Sequence, residues 1–413
     1  MTIISLFPGV NQFLKSNFEK REGRMIKRLL LVVFVLSLLI PVTACAEEET
    51  IKIGCVLELS GELGSVGLTM LDAAKLAVED INAAGGVLGK QVELISEDGA
   101  TDPDKGFDRV KKLIEIDGVQ VMAGPMITPT SELAMAYAKE HKVPLITMSA
   151  TGIALSEAEG TEWYFRTCLR DDAQGRLLAE IVLDKGYSKL ATIVLDNTYG
   201  IGLEIGISDG LEEAGWQGEH KVAIRYDIAK QDYRTELQQI ADYNPDVVLA
   251  VTYPADGVLI FKQALEMGLD DIAWLGCDGN YALLLEGEPK SAEFVEKALV
   301  CGTRTVGTGP VCDHFNAAYE EKYGIAPGVY CDTTYDAVWA AAKAIEKAGA
   351  YDGEKIRKAL TELEFDGATG PISFNELGDR TSGSFEIWKV VKDATTEIGY
   401  KNASIEIVSW SMK

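Results

Sequence analysis

Histidine is almost missing from this sequence. His141, His220 and His314 are the only three among 413 residues. His141 falls at a helix end before Lys142-Val143-Pro144, and neither His220 nor His314 has a Ser or Cys motif beside it. A nucleophile–histidine pair therefore has little to draw on, and all three histidines are expected at the surface. No strand-to-helix nucleophile elbow is expected either. Gly200-Ile201-Gly202 lacks the later glycine spacing of a dinucleotide fingerprint. The seven cysteines form no C-x-x-C and there is no H-E-x-x-H, so no zinc pattern arises. The chain reads as a non-enzyme with no catalytic residue, no metal and no cofactor.

Positive charge is also in short supply, with 39 Lys and Arg against 64 Asp and Glu, a net charge of −25. Phosphate binding needs clustered Lys and Arg, so nucleic acid is excluded as a partner. Only 12 prolines occur, no low-complexity tract appears, and 47% of residues are hydrophobic. Disordered and fibrous classes are thereby excluded, and the length suits two domains.

What the sequence does have begins with an export signal. Lys27 and Arg28 precede the apolar run from Leu29 to Ile40, which is interrupted only by Ser37. That run is shorter than the ~20 residues a spanning helix needs. Pro41-Val42-Thr43-Ala44-Cys45 follows, giving the charged, apolar and small-residue order of a secretory signal. Val42-Thr43-Ala44-Cys45 resembles the lipobox of exported lipoproteins, which implies cleavage before Cys45 and lipidation of its thiol. The signal occupies 25–45, with Met25 as the expected start and 1–24 upstream of it. Of the remaining cysteines, Cys55 and Cys277 read as buried thiols. Cys301, Cys312 and Cys331 leave room for one disulfide that sequence does not assign.

From Ile51 onward, strand-like and helix-like segments alternate. Ile51 to Leu57 reads as a strand. Gly67 to Ala84 carries an apolar stripe at Met70, Ala74, Ala77, Val78 and Ile81 and ends at Gly85-Gly86. Strands follow at Gln91 to Ser96, Val119 to Ala123, Val143 to Met148, Leu190 to Leu195, Val222 to Tyr226, Val247 to Val251 and Ile272 to Leu275. Helices start at Asp102-Pro103 and Thr128-Pro129 and run over 201–214, 233–243 and 255–267. This rhythm predicts an α/β fold of parallel sheets flanked by helices, in two Rossmann-like lobes and not one closed eight-stranded barrel.

Ligands of open α/β sheets bind beyond the carboxyl ends of the strands, so the loops there are the candidate site. Leu59 to Gly67 holds three glycines. Gly124 to Thr128 leads into a helix N-terminus, where free N–H groups and the Thr128 hydroxyl suit a carboxylate; Thr128 is alternatively only a cap for its own helix. Met148-Ser149-Ala150-Thr151-Gly152 offers two hydroxyls and a carbonyl. In the second half, Asp196 to Gly200 and Gly276 to Asn280 end strands. Asp278 is placed to pair with an ammonium, or else to cap the next helix.

These loops, together with Leu59-Ser60-Gly61, Phe165-Arg166-Thr167, Asp172, Gln174-Gly175 and Tyr335-Asp336-Ala337, resemble the leucine/isoleucine/valine-binding family of type I periplasmic binding proteins, which serve ABC importers. The likeness runs from about Ile51 to Trp388. It implies that Thr128, Ser149 and Thr151 hold the ligand carboxylate within the segment that includes Ala150. It further implies that Asp278 takes the ammonium, that Tyr199 and Tyr253 close over the ligand, and that Met126 and Val66 face its side chain. Val66 stands where relatives often have an aromatic residue. Asp278 stands where they have glutamate, one methylene longer, so a closer approach or a water is implied.

The resemblance also implies three crossovers, near Thr167, Thr303 and Phe374. Lobe one would then hold 51–167 plus 303–375 and lobe two 168–302 plus 376–413, joined by a hinge. The implied function is capture of a small amino acid, branched-chain or otherwise aliphatic, by hinge closure. Delivery to the permease of an ABC importer follows, from a lipid-anchored monomer at the cell surface or in the periplasm. The alternatives are the same role for an amide, urea or aromatic acid, or a ligand-sensing receptor subunit.

Overall fold

The computed structural model describes residues 50–228 and 230–412. The proposed signal and lipobox, including Cys45, lie outside the described residues. Thr50–Lys413 forms one compact unit.

Two open sheets carry the fold. The first comprises β1 (Ile51–Leu57), β2 (Val92–Asp98), β3 (Met122–Ala123), β4 (Leu145–Thr147) and β5 (Tyr164–Arg166), in the order β2-β1-β3-β4-β5. All its pairs are parallel. β1 is buried along almost its whole length because helices cover both faces. Those helices are α1 (Gly64–Ala83), α2 (Pro103–Glu115), α3 (Thr128–His141) and α11 (Cys331–Ala348). α2 starts where its sequence says it should. The Asp102 carboxylate accepts from the N–H groups of Asp104 and Lys105, and Pro103 takes the first turn, where no N–H is needed. α11 reaches this sheet from late in the chain and packs on α1, β3 and β4.

The second sheet comprises β6 (Lys189–Leu195), β7 (Glu219–Tyr226), β8 (Val247–Val251), β9 (Ala273–Gly276), β10 (Leu299–Val306), β13 (Ser382–Lys392) and β14 (Tyr400–Ser411). Its order is β14-β13-β10-β9-β8-β6-β7. β6 to β9 are parallel and match the expected βαβ rhythm, and β10, which no expectation named, continues the parallel order. β13 runs antiparallel to β10, and β14 antiparallel to β13. The sheet is therefore mixed, which the alternation of strand and helix did not anticipate. Its helices include α4 (Asp171–Asp184), α5 (Thr198–Glu213), α6 (Arg234–Tyr243), α7 (Pro254–Glu266), the single turn α8 (Asp278–Tyr281) and α9 (Pro289–Ala298). A small hairpin, β11 (Glu364–Gly367) with β12 (Gly370–Ser373), follows α10 (Pro310–Tyr323), α11 and α12 (Gly353–Leu360).

Three expectations need correction. Cys301, Cys312 and Cys331 are buried free thiols, like Cys55, Cys168 and Cys277, so no disulfide joins the described cysteines. His220 is half-buried, its Nε2 3.0 Å from Thr192 Oγ1, because β7 lays it against β6. The strand expected over 119–123 shrinks to two residues, since only Met122 and Ala123 pair with β1 and β4. Among the described residues no helix is long and apolar enough to cross a membrane.

Candidate functional site

A cavity lies where the carboxyl ends of strands from both sheets meet. It encloses about 430 Å³ of atom-free space, part of it open to solvent. From the first sheet come Leu63 and Val66 at the start of α1, Met126, Ile127 and Thr128 between β3 and α3, and Ser149 after β4. From the second come Tyr199 at the start of α5, Tyr253 and Pro254 at the start of α7, and Asp278 and Gly279 in α8. Val329 and Tyr330, just ahead of α11, complete the wall.

The first side is built from short hydroxyls on fixed backbone. Thr147 Oγ1 donates to Pro125 O at 2.7 Å and Ser149 Oγ to Met126 O at 2.8 Å, tying the two loops together. Thr128 is the first helical residue of α3 and Ile127 is the cap. Thr128 therefore does not cap its own helix; its Oγ1 accepts from Gly152 N–H at 3.3 Å. Gly67 is required nearby, because a Cβ there would sit 1.8 Å from Glu58 O.

The opposite side centres on Asp278. Cys277, not Asp278, caps α8. Asn280 Oδ1 accepts from Cys277 N–H at 2.7 Å and its Nδ2 donates to Thr252 Oγ1 at 2.8 Å, which pins the turn. Asp278 is 3% exposed. Tyr330 OH donates to its Oδ2 at 2.7 Å, and Tyr199 OH lies 3.1–3.2 Å from its two oxygens. Burial pushes its carboxyl above the usual range, while hydroxyl donation from Tyr330, the Gln174 amide and Tyr199 oppose that rise. Tyr199 and Tyr253 lie with ring centroids 5.8 Å apart at 6°, a broad aromatic surface beside the acid.

Of the residues expected from sequence, Thr128, Ser149, Tyr199, Tyr253, Asp278, Met126 and Val66 all line this one cavity. Ala150 and Thr151 do not. Ala150 faces the core beside Val56, Met135 and Tyr164. Thr151 is buried one residue further on, where its carbonyl accepts from Asp171 N–H at 3.1 Å. Leu63, Ile127 and Gly279 lie inside the loops singled out from sequence without being named for a role, and sequence reasoning missed Pro254, Val329 and Tyr330. Pro254 flanks Tyr253, already singled out, but Val329 and Tyr330 belong to a segment with no ligand-like motif.

No nucleophile elbow is present among the described residues. The letters G-x-S-x-G do occur, at Gly206-Ile207-Ser208-Asp209-Gly210, but inside α5, where Ser208 Oγ donates to Glu204 O. An elbow needs a sharp strand-to-helix turn. No group of three His, Cys, Asp or Glu fit for a metal occurs among the described residues. Chemically, the cavity offers a hydroxyl-lined side and helix N-terminus for an anion, a carboxylate for a cation, and apolar walls between them.

Known proteins resemble this chain in sequence and fold. Residues 50–395 match the family described as Periplasmic binding protein. The leucine-, isoleucine-, valine-, threonine- and alanine-binding protein of Pseudomonas aeruginosa is 28% identical over 357 residues, which is 85% of this chain and 92% of that one. Among solved structures, the branched-chain amino acid transporter substrate-binding protein of Streptococcus pneumoniae, in complex with isoleucine, is 25% identical with a TM-score of 0.72, over 86% of this chain and all of that one. A solute-binding protein of an ABC transporter from Rhodopseudomonas palustris, in complex with 3,4-dihydroxybenzoic acid, is 26% identical with a TM-score of 0.75, over 88% and 97%.

Proposed function

This chain belongs to the periplasmic binding protein family, and from that premise we propose that it captures an α-amino acid with an aliphatic side chain outside the cytoplasm and hands it to the permease of an ABC importer. One observation carries the choice of ligand: Asp278 is buried in the cavity wall opposite Thr128 and Ser149. A buried carboxylate without a cation is costly. An α-ammonium offsets that cost with a full positive charge, whereas the anion of an aromatic acid brings no cation to Asp278: a ring hydroxyl can donate a hydrogen bond to it but leaves its charge uncompensated. That argues against the cargo of the Rhodopseudomonas relative. The thioether and aliphatic wall of Leu63, Val66, Met126, Ile127 and Val329 suits an apolar side chain.

In this reading the ligand carboxylate meets the α3 N-terminus with Thr128 and Ser149. Tyr199 and Tyr253 cover the ligand from the other sheet. The crossover expected near Thr303 falls later, because β10 runs on to Val306 in the second sheet; the halves that close are then 51–167 with 307–375, and 168–306 with 376–413. Ligand favours closure only through contacts made better in the closed form. Contacts already crossing the cleft agree with a closed arrangement: Ser65 Oγ donates to Glu286 Oε1 at 2.7 Å and Tyr330 to Asp278. Anchoring through Cys45 would keep the protein, as a monomer, beside its permease.

The test is calorimetric titration of the purified protein with each protein amino acid and with benzoate. Micromolar or tighter binding of an aliphatic amino acid is expected. Asp278→Ala is expected to weaken it by more than tenfold, because its ammonium partner is gone. Binding of benzoate with no response to amino acids would reject the reading.

A further inference from the structure

A second cavity shares the segment that carries Tyr330. Val329 and Tyr330 line the first cavity, whereas Gly328 and Asp332 line this one. It encloses about 690 Å³ of atom-free space, part of it open to solvent. Its wall comes from both of the halves assigned above. Arg304 and Val306 end β10 and Tyr281 ends α8, on one half. Phe315 and Asn316 on α10 and Asp332 on α11 belong to the other. Gly307, where the chain crosses between the halves, is in the wall as well.

Two buried charges reach this space without reaching each other. Arg304 is 9% exposed and Asp332 is 7% exposed. Arg304 Nε donates to Glu386 Oε2 at 2.6 Å, and its guanidinium carbon lies 4.0 Å from the centroid of the Tyr281 ring. Its Nη1 and Nη2 make no hydrogen bond among the described residues. Asp332 accepts from Gly307 N–H at 3.1 Å on one oxygen and from Thr333 N–H at 2.9 Å on the other. Each oxygen keeps a second lone pair. Burial pushes the Asp332 carboxyl above the usual range, and the charge of Arg304 is the largest effect against that rise. Even so, Arg304 and Asp332 make no ion pair with each other. One stands on each half, within electrostatic reach and out of contact.

The chemistry of an occupant follows from these charges. An anion would answer Arg304, but Glu386 already does, and Asp332 and the exposed Glu320 in the wall would repel it. A bare cation would answer Asp332 but meet the Arg304 guanidinium. A neutral group with an acceptor oxygen and N–H donors side by side serves both, its carbonyl on the Arg304 Nη groups and its N–H on Asp332. Val306 and Phe315 give its apolar body a wall. We infer that this cavity is a second solute site, for a small primary amide, whose occupant ties the two halves together and so tightens binding in the first cavity. This rests on the hinged halves proposed above and not on the identity of the cargo. A molecule held by both halves favours the arrangement in which both contacts are made, and the coupling between the two cavities acts equally in both directions.

The test titrates isobutyramide into the protein while the first cavity is saturated with the protein amino acid it binds most tightly. Isobutyrate and isobutylamine are the controls. The amide is expected to bind roughly tenfold or more tighter than either control. Amino-acid affinity, measured with and without the amide, is expected to rise about fivefold or more in its presence. Arg304→Lys keeps a cation for Glu386 and removes the Nη groups, so amide affinity should fall roughly tenfold. Asn316 is exposed on α10, so Asn316→Trp plugs the cavity without entering the core; it should abolish amide binding, and it decides the matter if Arg304→Lys does not fold. An amide that binds no tighter than the controls, competes with the amino acid, leaves amino-acid affinity unchanged or still binds the Asn316→Trp variant overturns the inference. Wild type that binds no protein amino acid overturns the cargo assignment alone, and the same amide titration of the unsaturated protein and its variants then decides the second site.

Discussion

Tyr330 OH donates to Asp278 Oδ2 at 2.7 Å, joining the segment ahead of α11 to the turn that follows β9. Fifty-two positions separate the two in sequence, and they come from elements packed on different sheets. Tyr330 also holds a left-handed backbone conformation, φ 63°, at a cost of about 1–2 kcal/mol for a residue with a Cβ. Strain of this kind persists only where surrounding contacts impose it. Tyr330→Phe keeps the ring and removes the donor. A hydrogen bond to a charged group contributes about 1.5–3 kcal/mol. Amino-acid affinity should therefore fall by roughly tenfold, with the far-ultraviolet circular dichroism spectrum unchanged. Unaltered affinity would mean that Asp278 needs only Tyr199.

The turn that presents Asp278 depends on a residue without a side chain. A Cβ on Gly279 would lie 2.2 Å from Thr252 O and 3.1 Å from Tyr199 OH. Gly279→Ala must push α8 away from β8 or displace Tyr199, and overpacking of this kind costs about 1–3 kcal/mol. The expected result is a melting temperature lowered by several degrees and a ligand affinity lowered together with it. A variant with wild-type affinity would show that the turn yields without moving the acid.

The sequence made the parallel strands and the facing loops legible for one physical reason. Strands buried on both faces read as short apolar runs, and their carboxyl ends carry small and polar residues. Thus β1, β6 and β8 and the residues Thr128, Ser149, Tyr199 and Asp278 were all visible. β13 and β14 were not, because an antiparallel strand pair at a sheet edge alternates and stays largely exposed, as in β14. Tyr330 was hidden for a different reason. Its place in the wall comes from α11 packing back on the first sheet, a long-range contact that leaves no local pattern. Ala150 was grouped with Ser149 and Thr151 as one segment, but past the end of β4 the chain turns it into the core, away from the cavity that Ser149 lines.

A separate network holds the chain where it passes from β5 to α4. Arg166 and Asp379 are both 0% exposed, and their ion pair is 2.7 Å long. Asp379 also takes Arg170 Nη1 at 2.7 Å and Ser156 Oγ at 2.9–3.0 Å. Removing one partner of a buried pair leaves an uncompensated charge and costs about 3–5 kcal/mol. Asp379→Ala is expected to lose that much in urea unfolding. A loss below about 1 kcal/mol would place the pair among ordinary surface bridges.

Glu58 supplies the pH dependence. It closes β1, is 0% exposed, and accepts from Thr101 N–H. Burial raises its carboxyl to about 7; the Thr101 N–H opposes the rise, and the charges of Asp98 and Asp102 add to it. Unfolded, a glutamate titrates at ~4.3. The folded value lies above the unfolded one, so the folded state binds the proton more tightly. The stability this contributes is fully present below about 4.3 and is lost as pH rises through about 7. Glu58→Gln removes the titration and keeps an acceptor for Thr101. Its melting temperature relative to wild type should therefore climb by several degrees between pH 5 and pH 8.5. Asp256, which burial also raises to about 7, is present in both proteins and cancels in the difference. A gap between variant and wild type that stays constant with pH would show that Glu58 is charged throughout and that its acidity is set by Thr101 and not by burial.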